Sequence, residues 1–171
     1  TSGFRETFGG IHKKYDVFPD MAMFGKALGN GYAITAVIGR RNIMDAAQST
    51  FISSTFWTER IGPTAALKTL EVMEREKSWD SISETGRDIV GRWKSLAAKK
   101  EIAIDCSGIP ALASFAFASP NALAYKTLIT QEMLVNGFLA GTTIYVSLAH
   151  TEDKISEYFY YLDKVFDLIQ D

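Results

Sequence analysis

Cysteine is nearly missing from this sequence: Cys106 is the only one in 171 residues, so no intrachain disulfide can form and no cluster of thiolates can hold a metal. Histidine is scarce too. His12 stands in a polar loop context and His150 beside an expected helix start, and neither has a second ligand near it in sequence, so a surface or capping role is the expectation for both and no metal site is assigned. The apolar stretches are broken by charge well short of the roughly 20 residues that a membrane span needs. A charged segment followed by an apolar signal core is also lacking at the start. Neither membrane insertion nor secretion is expected, and a cytoplasmic setting fits. Charge of one sign is not in excess either: 18 Lys and Arg stand against 20 Asp and Glu, a formal net charge of -2. That balance supplies no electrostatic reason for nucleic acid or an anionic membrane as partner. Ser53 and Ser54 have no His and Asp at any recognisable hydrolase motif. The chain opens at Thr1 without methionine and enters structured-looking sequence at once, with Phe4, Phe8 and the Gly9-Gly10 pair, which reads as a piece of a longer protein.

What is present is ordinary globular material, 47% apolar and 22% charged, enough for one good core or two small ones. Met21 to Arg40 reads as an apolar run, a turn at Gly29-Asn30-Gly31, and a β-branched run from Ala33 to Ile38: two strands of a largely buried sheet. Good helix formers fill the stretch from Pro63 to Arg75. A second helix is expected from Ser78 to the Lys99-Lys100 pair, with Trp79, Ile82, Ile89, Trp93 and Leu96 as its apolar stripe. Short strands are expected at Ile102 to Ile104 and Leu112 to Phe117, then a helix from Ala122 that ends at Asn136-Gly137, a β-rich run from Thr142 to Leu148, and a last helix from Thr151. The order implies an α/β first part, about residues 1 to 75, and a smaller α+β domain over 76 to 171.

Lys26 is the only charged side chain between Asp20 and Arg40. An amine held in apolar surroundings loses part of its charged-state solvation, which favours the neutral nucleophile that Schiff-base chemistry requires. A loop lysine that snorkels to solvent explains the same pattern, and composition does not separate the two. A phosphate loop is excluded, because that motif needs glycine where the chain has Asp20 and Ser or Thr where it has Ala27. Trp79, Trp93, Phe159 and Phe166 fall on helical stripes and read as core. Tyr32 and Trp57 are less periodic and are candidates for a pocket lining.

The residues themselves carry a resemblance. Thr1-Ser-Gly-Phe-Arg5, Pro19-Asp20, Phe24-Gly-Lys26-Ala-Leu-Gly-Asn-Gly31-Tyr32 and Ala36-Val-Ile-Gly39 follow in the order seen in class III aminotransferases. Ser54-Thr55-Phe56 with Ala65-Ala66-Leu67 and Thr69-Leu70-Glu71 resembles that family's phosphate-contacting segment and the helix after it. Tyr145-Val-Ser147-Leu-Ala-His150-Thr151-Glu152-Asp153 is similar to the closing strand and helix start of the glutamate-1-semialdehyde 2,1-aminomutase branch. The resemblance implies a fold-type-I enzyme dependent on pyridoxal 5'-phosphate (PLP): part of its large domain followed by its small α+β domain. It implies that Lys26 forms the internal aldimine and moves the substrate proton, and that Thr55 donates its hydroxyl to the cofactor phosphate across a homodimer interface. The substrates implied are an amine or amino acid and a carbonyl compound, or a single substrate undergoing a 2,1-amino shift. Two departures stand out. The family's aspartate for the pyridine nitrogen belongs before Thr1, with neither Asp16 nor Asp20 a substitute, and Thr58-Glu59-Arg60-Ile61-Gly62-Pro63 replaces the usual Gly-Asn-Pro. The rival from another class is a non-catalytic, truncated or degenerate aminotransferase-like dimerisation scaffold.

Overall fold

A computed structural model describes residues 1–170. Packing divides the chain into two units, one spanning Thr1–Asp80 and the other beginning at Ser81, in the first turn of a helix.

In the first unit, β1 (Met21–Phe24) and β2 (Ala36–Gly39) pair antiparallel, with Met21 opposite Gly39 and Phe24 opposite Ala36. A one-turn helix, α1 (Arg41–Met44), follows, and the long α2 (Ile61–Glu76) closes the unit. Alternation along the strands sorts the side chains by face. Ala22, Phe24 and Ala36 turn toward a small core made with Phe4, Leu28 and Ala66, where the Phe4 and Phe24 rings stack at 4.9 Å. Met21, Met23 and Val37 lie on the opposite face and are exposed. Where a largely buried sheet was expected, these two strands with one helix cover one side only within the unit, and such a ribbon is marginal alone.

The second unit has the larger core. Its sheet has the order β3-β4-β5, formed by Ile104–Ser107, Leu112–Phe117 and Thr143–Tyr145, all antiparallel. Central β4 alternates cleanly, sending Ala113, Phe115 and Phe117 inward, while Ser114 on the other face lies 3.0 Å from the Ser107 hydroxyl across the pair. Against the inward side pack residues of α3 (Ser78–Lys99), α4 (Ala122–Val135) and α5 (Glu152–Gln170). Trp93, Ile129, Met133, Leu162 and Phe166 are fully buried there.

Helix ends explain where the strands begin. At the end of α3, Glu101 takes the left-handed conformation (φ 53°), its N–H bonds the Ala98 carbonyl, and the Ile102 N–H reaches back to the Ala97 carbonyl at 2.9 Å. Ile102 is thereby consumed by the helix cap, so β3 starts at Ile104 and not at Ile102 as sequence suggests. Gly137 (φ 85°) closes α4 in the same way, with Phe138 N–H on the Met133 carbonyl at 2.9 Å. The run expected to be β-rich as far as Leu148 ends as a strand at Tyr145; the Val146 N–H still reaches the Ala111 carbonyl at 3.0 Å, and Ser147 then enters a turn in which its N–H donates to His150 Nδ1 at 3.1 Å.

Candidate functional site

Lys26 owes its position to the residues on both sides of it. Phe24 points into the core, Gly25 is extended (φ -163°), and Leu28, only 5% exposed, plugs back into the same core. Between these two anchors the chain makes a single 3-10 turn over Lys26–Leu28, with Leu28 N–H on the Gly25 carbonyl at 3.0 Å and the Gly29 and Asn30 N–H groups on the Lys26 carbonyl at 3.1 Å. Lys26 itself adopts φ 46°. A non-glycine residue there carries strain on the order of 1–3 kcal/mol, tolerated where the surroundings over-determine it and frequent at functional sites. The side chain is exposed, and no carboxylate pairs with its ammonium among the described residues. The apolar neighbours thus fix the backbone and do not bury the amine.

Thr55 opens a tight turn before α2. The Phe56 N–H bonds the Ser54 hydroxyl at 3.1 Å, and the Glu59 N–H bonds the Phe56 carbonyl at 3.0 Å. Around Thr55 the apolar side chains are unusually bare: Phe51 is 93% exposed, Phe56 73% and Trp57 67%. No hydrogen bond joins Thr55 to Lys26 among the described residues, and both side chains reach solvent.

Glu59, to which sequence reasoning assigned no role, ends that turn. Its carboxylate accepts from the N–H of Ile61 and of Gly62, the latter at 3.0 Å to one oxygen and 3.3 Å to the other. Pro63 has no N–H, and the Thr64 N–H already reaches the Arg60 carbonyl at 3.0 Å. Every donor of the first turn of α2 therefore has a partner within the chain. A Cβ on Gly62 would lie 2.9 Å from the Ala33 carbonyl oxygen and 3.2 Å from Ile34 Cβ, so glycine lets the helix start sit directly on the segment that follows the Lys26 turn. The signal in sequence was a carboxylate just before an Ile-Gly-Pro helix start, visible only as a departure from the family pattern.

The other candidates fall elsewhere. Asp20 pairs with Arg40 at 3.0 Å, Asp16 is an exposed left-handed residue ending a 3-10 turn (φ 52°), and Arg5 donates from Nε to the Thr1 carbonyl at 3.1 Å. Tyr32 is exposed beside the Lys26 turn. In the second unit, a cleft between α3 and α5 is lined by Asp88, Arg92, Leu96, Phe159 and Asp163. Arg92 is already committed there to Asp88 (2.8 Å) and Glu152 (2.7 Å), and its hydrogen bond, with that of Ser156, holds the Glu152 carboxyl below the usual carboxylate range. No group of three or more metal-ligating side chains occurs among the described residues, and no helix there is long and apolar enough to cross a membrane.

Comparison with known proteins gives this geometry a context. The model of the family "Aminotransferase class-III" matches residues 6–165. The chain is 36% identical over 131 residues to a 3-aminobutyryl-CoA aminotransferase of Cloacimonas acidaminovorans, covering 76% of this chain and 32% of that protein. It is 29% identical over 182 residues to a glutamate-1-semialdehyde 2,1-aminomutase of Hyperthermus butylicus, covering 96% of this chain and 43% of that one. Among solved structures, the PLP internal aldimine form of the FumI protein of Sphingopyxis sp. superposes with a TM-score of 0.90 at 22% identity, over 98% of this chain and 41% of that chain. An S-selective transaminase of Bacillus megaterium superposes with a TM-score of 0.80, also at 22% identity, over 99% of this chain and 42% of that chain. The chain thus spans 32% and 43% of the length of these two relatives. Its fold is that of the fold-type-I PLP-dependent transferases. With the family match running from Glu6 nearly to the end of α5, the chain belongs to the class-III aminotransferases.

Proposed function

We propose that the protein of which these residues are part is a PLP-dependent enzyme that moves an amino group between an amine or amino acid and a carbonyl compound, or within one substrate as an aminomutase does. The observation that carries this reading is Lys26: an exposed amine, free of any carboxylate partner among the described residues, held at φ 46° by a turn whose flanks are buried. The residues present fit the cofactor. Lys26 Nζ would hold it covalently and would accept and return a proton at that nitrogen, and the exposed Thr55 hydroxyl would donate to its phosphate. When bound, PLP supplies the electron sink that stabilises the substrate carbanion. A homodimer in a cytoplasmic setting completes the proposal, with Thr55 serving the partner's site. The bare Phe51, Phe56 and Trp57 around it have the composition of an interface core and are otherwise costly to leave in water.

The test is chemical. In the full-length protein, borohydride reduction in the presence of PLP followed by peptide mapping is expected to label Lys26, and Lys26→Ala is expected to abolish both the label and amino transfer. A label that persists at another lysine in the variant overturns the assignment. A protein that takes no label in either form is instead the non-catalytic scaffold.

A further inference from the structure

We propose that Glu59 is a positioning residue for cofactor binding: its carboxylate clamps the Thr55 turn to the start of α2 and so sets where the Thr55 hydroxyl stands. The inference rests on the reading of Thr55 as a phosphate ligand.

Three observations on the turn carry it. First, Glu59 is tied at both its ends, its N–H to the Phe56 carbonyl at 3.0 Å and its carboxylate to the Ile61 and Gly62 N–H groups. The turn from Phe56 to Glu59, which directly follows Thr55, therefore closes on a fixed point and not on a mobile side chain. Second, that fixed point is anchored. Gly62 brings the helix start against Ala33 and Ile34, and Ala66 further along α2 is buried in the core that holds Leu28 of the Lys26 turn. Third, the charge is committed. A free carboxylate this close to Thr55 would repel a phosphate dianion, whereas at the N-terminus of α2 it faces two N–H groups and the positive end of the helix dipole. With Pro63 lacking an N–H and Thr64 N–H bonded to Arg60, the first turn of α2 has no backbone N–H left for the phosphate itself. What the helix contributes to the cofactor is the placement of Thr55, and Glu59 is the link.

The experiment is a PLP titration of the full-length dimeric protein, followed by absorbance, for wild type, Thr55→Ala, Glu59→Ala, Glu59→Asp and the Thr55→Ala/Glu59→Ala double variant. Loss of the cap in Glu59→Ala is expected to weaken PLP binding roughly three- to thirtyfold. Glu59→Asp is expected to restore most of the affinity, since a shorter carboxylate can also accept from N–H groups two and three residues ahead. Because Glu59 acts through Thr55, the double variant is expected to bind no more weakly than Thr55→Ala alone. Wild-type affinity in Glu59→Ala beside a weakened Thr55→Ala overturns the proposal, and so do additive losses in the double variant or a failure of Glu59→Asp to rescue. If Thr55→Ala itself binds PLP as tightly as wild type, the underlying reading of Thr55 fails, and the proposal with it. Should Glu59→Ala fold too poorly to titrate, Glu59→Gln keeps one acceptor oxygen and is expected to show a smaller loss; wild-type affinity there overturns the proposal equally.

Discussion

At the scale of the residue, two side chains show opposite uses of their surroundings. Lys26 is an exposed residue constrained at its backbone, where the apolar sequence around it holds a strained turn. Tyr158 is the reverse case. Its ring is buried, its hydroxyl accepts the Trp93 indole N–H at 3.0 Å, and burial pushes its ionisation well above the ordinary tyrosine value, so it stays protonated. Removing only the hydroxyl leaves a fully buried indole N–H without its acceptor. Tyr158→Phe is therefore expected to destabilise the fold by about 1–3 kcal/mol, read as a lower urea midpoint at unchanged m-value. An unchanged midpoint means the bond contributes nothing net. The Trp93 side was legible in sequence as a core position on a helical stripe. Its partner was not, because residues 93 and 158 meet only once α3 and α5 have packed.

At the scale of the element, α3 contains its own control experiment. Gly86 and Gly91 both lie inside the helix, where glycine costs about 1 kcal/mol against alanine. A Cβ on Gly91 meets nothing within 4 Å, so Gly91→Ala is expected to raise stability by about 0.5–1 kcal/mol. A Cβ on Gly86 instead runs into the backbone carbonyl of Pro110, in the connection between β3 and β4. That carbonyl belongs to the main chain and cannot rotate aside, so Gly86→Ala is expected to lose about 1–3 kcal/mol in spite of its better helix propensity. Thermal melts of the two variants check this, and a Gly86→Ala that melts above wild type refutes the close approach. Helix periodicity was read correctly for α2 through α5 to within a few residues, since each has a local stripe or cap that needs no partner to be recognised. The start of β3 was misread because a left-handed cap at Glu101 carries no glycine to announce it.

At the scale of the whole molecule, the two units differ in the size of their cores, while both leave large apolar side chains bare, among them Leu139 and Val135 in the second. The second closes its own core over one face of a three-stranded sheet. The first has four buried apolar residues and a row of exposed ones, from Met23 at 83% to Phe51 at 93%. If Thr55 completes the site of a partner, mixing Lys26→Ala with Thr55→Ala subunits of the full-length protein is expected to restore part of the activity. The heterodimer then has one site with both lesions and one with neither. Activity that stays at the level of the two mutant homodimers places Thr55 within its own chain's site. By itself the sequence determined the family and most of the helices, and it singled out Lys26 and Thr55 as candidates, because short motifs and periodic stripes are local and survive without coordinates. Only the tertiary structure decided that the Lys26 amine faces solvent, that β1 and β2 bury one face, and that Glu59 caps α2 beside the Thr55 turn. Each of those depends on which surfaces meet: a strand's pattern says that it has two faces and not which one is covered, and a carboxylate's role is set by the N–H groups that folding brings to it.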